Sequence, residues 1–476
     1  MKKILATLLF IEAVLLVNAQ NWFPVGNGLR SGNNRDVNTL VAFNGNLIAG
    51  GNFEKIEGND TLMYISQWDG TSWKQMGQGG GFSNYVHALT VFNGELYAGG
   101  EMFRRFNDDG TTFTGGIAKW NGSKWMPVAG LSNGVVFAMA EYDNQLFLAR
   151  REEIIDQNSG NTIAIEYKLT SFDGTTFTDI PSLFKGPENY TALEDLTVYD
   201  NKLVIVGRFD SIDNIPARMA VAYDGTAYAT LNFPVEGRTV VTQGVIGIYG
   251  YAKTCEVYDN KLFVGGLLPT FNFPNTNEPT SLASFDGTTW VRHQFDENFG
   301  NTVNDLVVKN DTMFVLGEYG VNVSGNILFG VTIFNTAETP PFTNTNFYPT
   351  IPGQGGRVNA GVVFNNTLYV GGNFQRAGSN EVNNIARLDP TATIIVSTEE
   401  LVKNELVKVF PNPAGNVLNI TGSAPQFKLQ LTDITGKIIY AETVNSNNSS
   451  INVSSYPKGM YFLQIDNKAV YKVVVE

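Results

Sequence analysis

Apolar and polar residues alternate along most of the chain in short runs, and the runs are divided by Asn-Gly and Asp-Gly dipeptides. A period of two bounded by such turns predicts antiparallel strands, because Asn, Asp and Gly tolerate the positive φ of tight hairpins. One unit reads Phe43-Asn44-Gly45-Asn46-Leu47-Ile48-Ala49-Gly50-Gly51 and returns at Phe92-Asn93-Gly94-Glu95-Leu96-Tyr97-Ala98-Gly99-Gly100. Looser copies begin at Tyr142, Tyr199, Tyr258, Lys309 and Phe364. A second hairpin follows each of the first five, as Trp68-Asp69-Gly70-Thr71-Ser72-Trp73 and its counterparts at 120–125, 172–177, 223–228 and 285–290. The last two copies decay to Phe334-Asn335 and Leu388-Asp389-Pro390. Every unit is therefore expected to hold four short strands.

The units recur about every 53 residues, near the ~50 of kelch-type repeats and above the ~40–45 of WD repeats. A four-stranded sheet cannot bury both faces alone, so seven such units are expected to stack around an axis as a seven-bladed β-propeller over residues 20–390. The aromatics five residues apart, such as Trp68 and Trp73, are expected to fill the wedge between blades. The seventh unit lacks a last strand, and Trp22-Phe23-Pro24-Val25-Gly26 resembles the closing strand of the others. It is expected to close the ring, with Thr393–Val396 as the alternative.

Composition agrees with an all-β chain: 49 Gly, 12% aromatic and only 16% charged residues in 476. A single Cys excludes an internal disulfide, and no Cys/His cluster offers a zinc site. Met1-Lys2-Lys3, an apolar run to Val17 and small residues at the end of Val17-Asn18-Ala19 read as a secretory signal peptide over residues 1–19. No later stretch is long and apolar enough for a transmembrane helix. A net charge of −13 repels phosphate backbones, so nucleic acid is not an expected partner.

Residues 391–407 read as a linker, and the composition then changes. Val407-Lys408-Val409-Phe410-Pro411-Asn412-Pro413, Asp433-Ile434-Thr435-Gly436-Lys437 and Lys458-Gly459-Met460-Tyr461 precede an ending in Lys472-Val473-Val474-Val475. Strands at Phe427–Thr432 and Tyr461–Ile465, divided by turns at Thr435-Gly436 and Lys458-Gly459, suggest a small immunoglobulin-like β-sandwich. In order and spacing, Pro411, Asn412, Pro413, Gly436, Lys437, Gly459, Tyr461 and Lys472 closely resemble the type A C-terminal sorting domain of the type IX secretion system, over residues 408–476. That resemblance implies the type IX machinery as partner, and export to the outer-membrane surface or the extracellular space after a periplasmic stage. The repeats in turn resemble the kelch and galactose-oxidase-like propeller group in pattern, which implies a fold and not a function.

Chemistry is sparse. His87 and His293 are the two histidines, and no GxSxG elbow, HExxH helix or phosphate loop occurs. Asn107-Asp108-Asp109-Gly110 lacks the ligand spacing of a calcium loop, so no metal site and no cofactor are expected. Cys255 falls on an inner-strand position held by Leu in most units and reads as a buried, inert thiol. The position opening each innermost strand holds Asn38, His87, Phe137, Glu194, Lys253, Asn304 and Asn359, polar in all but one case within an otherwise apolar pattern. In a propeller these residues ring one mouth of the channel. Asn38, His87, Glu194, Lys253, Asn304 and Asn359 are thus the candidate ligand-binding residues, and no catalytic residue is assigned. Loop arginines at Arg104-Arg105, Arg150-Arg151 and Arg208 either recognise acidic glycans or pair with adjacent acids. The chain reads as a secreted, non-enzymatic binding or adhesion module for polysaccharide or protein. The alternatives are a glycan-active hydrolase or lyase using carboxylates at the mouth, and a structural surface component.

Overall fold

The computed structural model describes Trp22 to Val475 except 31–35, 58–59, 78–80, 107–111, 132–133, 157–158, 160, 187–190, 235–238, 243–244, 269–279, 294–301, 324–325, 336–341, 348, 352–353, 378–379, 389–407, 422–426, 434–437, 447 and 466–468. The signal peptide 1–19, the linker 391–407, the 107–110 loop, Thr393–Val396, Gly436 and Lys437 therefore lie outside the described residues. The chain divides into two compact units, Met1–Ile394 and Ile395–Glu476. All regular structure among the described residues is β, in many small antiparallel sheets.

In the first unit, four-stranded sheets follow one another along the chain. Sheet one is Val37–Phe43, Asn46–Glu57, Asp60–Trp68 and Trp73–Gln75, and five more of the same order begin at Val86, Val135, Ala192, Tyr251 and Thr302. A seventh consists of Arg357–Phe364, Thr367–Asn373 and Ile385–Leu388, with Trp22–Pro24 as its last strand. Trp22 lies opposite Leu388 and Pro24 opposite Ala386, so the beginning of the described chain completes the last of these seven sheets. The first strand of each sheet packs on the first strand of the next, and that of sheet seven packs on that of sheet one. Sheet six keeps a fourth strand, Phe342–Phe347, where the sequence pattern had faded.

The turns follow the expected chemistry. Asn44, Asn93, Asp143, Asp200, Asp259, Asn310 and Asn365 all take φ between 47° and 52° at the first hairpin of their sheets. At the second hairpin Asp69 Oδ1 accepts hydrogen bonds from the Thr71 and Ser72 amides at 2.8 Å, and Asn121, Asp173, Asp224 and Asp286 repeat the arrangement. The aromatics that flank it are core: Trp68 and Trp73 lie 5.6 Å apart with Ile385, Phe364 and Tyr369 of sheet seven in the same cluster.

A Gly-Gly pair on the second strand has two separate causes. A Cβ on Gly50 would sit 2.5 Å from Val86 of sheet two, and Gly99, Gly265 and Gly371 meet the next sheet's Val in the same way. A Cβ on Gly51 would sit 2.2 Å from the carbonyl oxygen of Asp36, with the same clash at Gly266 and Gly372. Gly51→Ala is expected to cost about 1–3 kcal/mol as overpacking against backbone that has no room to yield, read as a lowered denaturant midpoint.

Sheet five carries a pH-sensitive core residue. The His293 ring stacks 5.5 Å from Phe263 and edge-on to Phe334, and its Nε2 lies 2.7 Å from Ser284 Oγ. Burial, with a smaller effect from Lys261, lowers its pKa from 6.5 to about 4. The unfolded chain then binds a proton that the fold rejects, so this contribution is full above about pH 6.5 and fades as pH falls toward about 4. Up to about 3 kcal/mol is at stake. His293→Gln is expected to flatten the acid limb of a stability profile between those limits, measured against the unsubstituted chain.

The second unit has its own core, built on Leu418, Ile420, Leu429, Leu431, Tyr461, Leu463 and Val473. A three-stranded sheet (Lys408–Phe410, Val417–Thr421, Asn448–Asn452) and a four-stranded one (Phe427–Asp433, Ile438–Val444, Gly459–Ile465, Ala469–Val475) form it. Gly459 opens a strand where the sequence suggested a turn, and that strand pairs along its length with the last one.

Candidate functional site

Each of the seven first strands carries a β-bulge at one equivalent place. The register skips from Val37 to Thr39, Val86 to Ala88, Val136 to Ala138, Leu193 to Asp195, Ala252 to Thr254, Val303 to Asp305 and Val358 to Ala360. The residues passed over are Asn38, His87, Phe137, Glu194, Lys253, Asn304 and Asn359. A bulged residue has no ladder partner and its side chain is re-aimed, so these positions leave the sheet plane together. In sheets one, two, five and seven a Gly-Gly pair lies opposite the bulge, while sheets three, four and six carry Ala149-Arg150, Val206-Gly207 and Leu316-Gly317 there.

All seven line two stacked cavities. One, of about 450 Å³, lies on the side where the first strands begin and also touches Asp36, Asn52, Tyr85, Tyr251, Glu318 and Arg357. The other, of about 570 Å³, lies beyond the bulges and reaches Asp195, Glu256 and Asp305. The sequence-derived candidates are thus brought to one level of one channel.

Part of their polarity is structural. Asn38 Nδ2 donates to the Val86 carbonyl at 3.2 Å, Asn304 Nδ2 to Val358 at 2.8 Å and Asn359 Nδ2 to Val37 at 3.2 Å, each time across to the next sheet. Lys253 Nζ lies 2.5 Å from Glu194 Oε2, again across sheets. Burial alone would lower the Lys253 ammonium, but Glu194 outweighs it and holds the pKa above its ordinary value. His87 lies 5.4 Å from Phe137 between ring centres, and its Nε2 is 3.9 Å from Glu101.

Three carboxylates escaped the sequence reading. Asp195 accepts from the Cys255 amide at 2.9 Å, Thr254 Oγ1 at 3.1 Å and the Leu196 amide at 2.8 Å. Asp305 accepts from the Gly361 amide at 2.7 Å and the Leu306 amide at 2.8 Å. Burial pushes Asp195 up to about 6 despite these donors, and pushes Asp305 well above the carboxylate range. Glu256 is raised by burial and by Asp195. What surface they expose faces the channel. The available signal was an Asp, one place after the bulge, where other repeats hold Thr or Ala. No group of three metal-ligating side chains occurs among the described residues.

Cys255 is buried and unpaired, with its thiol pKa raised by burial, as expected of an inert core position. Arg150 is bound to Asp179 at 2.7 Å and Thr170 at 2.7 Å, Arg151 pairs with Glu153 at 3.2 Å, and Arg208 sits 4.7 Å over the Tyr251 ring. The Arg104 and Arg105 side chains lie outside the described residues. In the second unit Asn412 Oδ1 accepts from the Val474 amide at 2.9 Å, and the buried Tyr461 donates to the Pro457 carbonyl at 2.6 Å. Two residues of the sorting motif thus fasten strand ends. Pro411 and Pro413 follow cis peptide bonds, and Lys472 lies opposite Phe462 in the ladder.

Residues 408–476 match the model of the secretion system C-terminal sorting domain. No curated protein sequence matches the chain. Among solved structures, the chain is similar to PorZ, described as an essential surface component of the type IX secretion system of Porphyromonas gingivalis, at 12% identity and TM-score 0.29, covering 92% of this chain and 81% of that one. It is also similar to the computationally designed protein Ika8 at 12% identity and TM-score 0.37, covering 95% and 99%. The extracellular domain of a one-component system protein from B. thetaiotaomicron gives TM-score 0.30, covering 95% of this chain and 76% of that one. The sorting domain indicates export through the type IX system to the cell surface or the extracellular space, and no helix among the described residues is long and apolar enough to cross a membrane.

Proposed function

We propose that the seven sheets are the blades of a kelch-like propeller over residues 20–390, which a signal peptide and the sorting tail deliver to the outside of the cell, and that it binds polysaccharide there without catalysis. The observation that carries this reading is the coincidence of seven bulges at one level of one channel, with Asn38, His87, Glu194, Lys253, Asn304 and Asn359 facing ligand-sized cavities on either side. Hydrolysis is the weaker reading. A carboxylate pair needs oxygens free for substrate or water, whereas both oxygens of Asp195 and of Asp305 accept backbone donors, and Glu194 is tied to Lys253.

The test is a glycan array with the full chain and with its His87→Ala, Glu194→Ala and Lys253→Ala variants, each checked for a native melting transition. Loss of signal in at least one variant is expected, and unchanged binding in all three would remove the channel as the site. Deleting 408–476 is expected to leave the protein inside the envelope, seen by fractionation and surface protease access.

A further inference from the structure

The mouth is not uniform around its circumference. On sheets two and three it is aromatic: Tyr85 stands edge-on to His87 at 6.5 Å, and the His87 ring is tilted 31° against Phe137. Tyr85 is 36% exposed, so this wall is open to a ligand. On sheets four and five it is the closed Glu194–Lys253 pair. On sheets six, seven and one it is three amides, each using one Nδ2 N–H on a neighbouring carbonyl, so the Oδ1 acceptor and a second N–H are left for the cavity. Asp36 Oδ1 and Asn52 Oδ1, on residues that line the same mouth, also have no hydrogen-bond partner, but both atoms are buried and out of a ligand's reach.

Amides offering both an acceptor and a donor call for a ligand that brings hydroxyl groups, which can donate to the one and accept from the other. The aromatic wall calls for one with an apolar face. Charge excludes a third property. Among the described residues both cations facing this cavity are already paired, Lys253 with Glu194 and Arg357 with Asp36 at 2.5 Å, while Glu318 adds an unpaired negative charge at the rim. An anion entering here meets a like-signed field and no free cation.

We infer that the mouth takes the end of an uncharged glycan, with one pyranose face on the Phe137–His87 wall and hydroxyls donating to the side-chain carbonyls of Asn38, Asn304 and Asn359, and that it rejects uronic acids. This rests on the binding reading above and narrows it to a ligand class. The test is calorimetric titration of the full chain with a panel of neutral oligosaccharides and a matched panel of uronic-acid oligosaccharides, at low and high salt. Phe137→Ala and Phe137→Trp are titrated alongside, with thermal melts to confirm folding. A neutral ligand is expected to bind with little salt dependence, and the uronic counterparts roughly tenfold more weakly or not at all. Phe137→Ala is expected to weaken binding roughly tenfold, and Phe137→Trp to retain it. Equal or tighter uronic-acid binding overturns the inference, as does neutral binding indifferent to Phe137→Ala, which would leave a polysaccharide-binding module whose site is elsewhere. If no glycan binds, and a protein ligand is instead lost on Lys253→Ala, the saccharide class fails while the binding role stands.

Discussion

Trp73→Ala is expected to lower the stability of the first unit by about 3–5 kcal/mol, which is the range for emptying a fully buried tryptophan site. Trp73 is 1% exposed, packs against Trp68 and donates its indole N–H to the Val25 carbonyl at 2.9 Å. Three losses coincide: the buried ring, a hydrogen bond to a buried carbonyl, and the contact that fastens the N-terminal segment to sheet one. Denaturant unfolding monitored by far-ultraviolet circular dichroism gives the value. Trp73→Phe should recover much of the ring packing while leaving the Val25 carbonyl unmet, so it separates the hydrogen bond from the volume. A loss below about 1 kcal/mol for the Ala variant would mean the site is not core.

Removing residues 22–29 is expected to do more damage still. Trp22–Pro24 is the edge strand of sheet seven, and the segment after it runs on to sheet one. The Trp22 carbonyl accepts from Asn380 at 2.8 Å, the Leu29 amide donates to Asn383 at 2.8 Å, and Lys55 of sheet one donates to the Gly28 carbonyl at 2.7 Å. Without the segment, Ile385–Leu388 becomes a bare edge beside an open seam, and Trp22, 2% exposed in the intact chain, leaves the core. Unpaired edges of this kind recruit other chains. The truncated protein is expected to elute as dimers or larger species in size-exclusion chromatography and to melt many degrees lower. A monodisperse monomer with an unchanged melting point would show that the N-terminal strand is ornamental.

The strand units were legible because their turns are local chemistry: Asn44-Gly45 and Asp69-Gly70 state the hairpin wherever they occur, and no distant contact is needed to interpret them. The pairing of Trp22 with Leu388 was also legible, because the N-terminal segment copies the closing strand of other units. The bulge was not. Nothing in Val37-Asn38-Thr39 distinguishes a continuous strand from one that skips a residue, since the skip is set by how the second strand registers against it. Asp195 and Asp305 were missed for a related reason: one oxygen of each is satisfied by an amide of the following sheet, a long-range pairing that an Asp one place after the bulge does not by itself announce. The small sheet made by Phe184–Lys185, Ser211–Ile212 and Ile215–Pro216 was lost because two-residue strands carry no period to detect.

The bulges also bear on how such a channel changes over time. A residue in an ordinary ladder position is bound to its partner strand, so exchanging it for one of another size or charge strains the pairing on both sides. A bulged residue contributes nothing to that ladder, and the register on either side of it is carried by its neighbours. Seven such positions are therefore free of their own ladder, although Asn38, Asn304 and Asn359 each tie to the next sheet and Glu194 and Lys253 to one another. Sheets two to five, where the bulged residue is His87, Phe137, Glu194 or Lys253, already display the spread of chemistry that release from the ladder permits. Ligand preference in a lineage of this architecture can then diverge without disturbing strand register, singly at His87 and Phe137 and in concert at the paired Glu194 and Lys253.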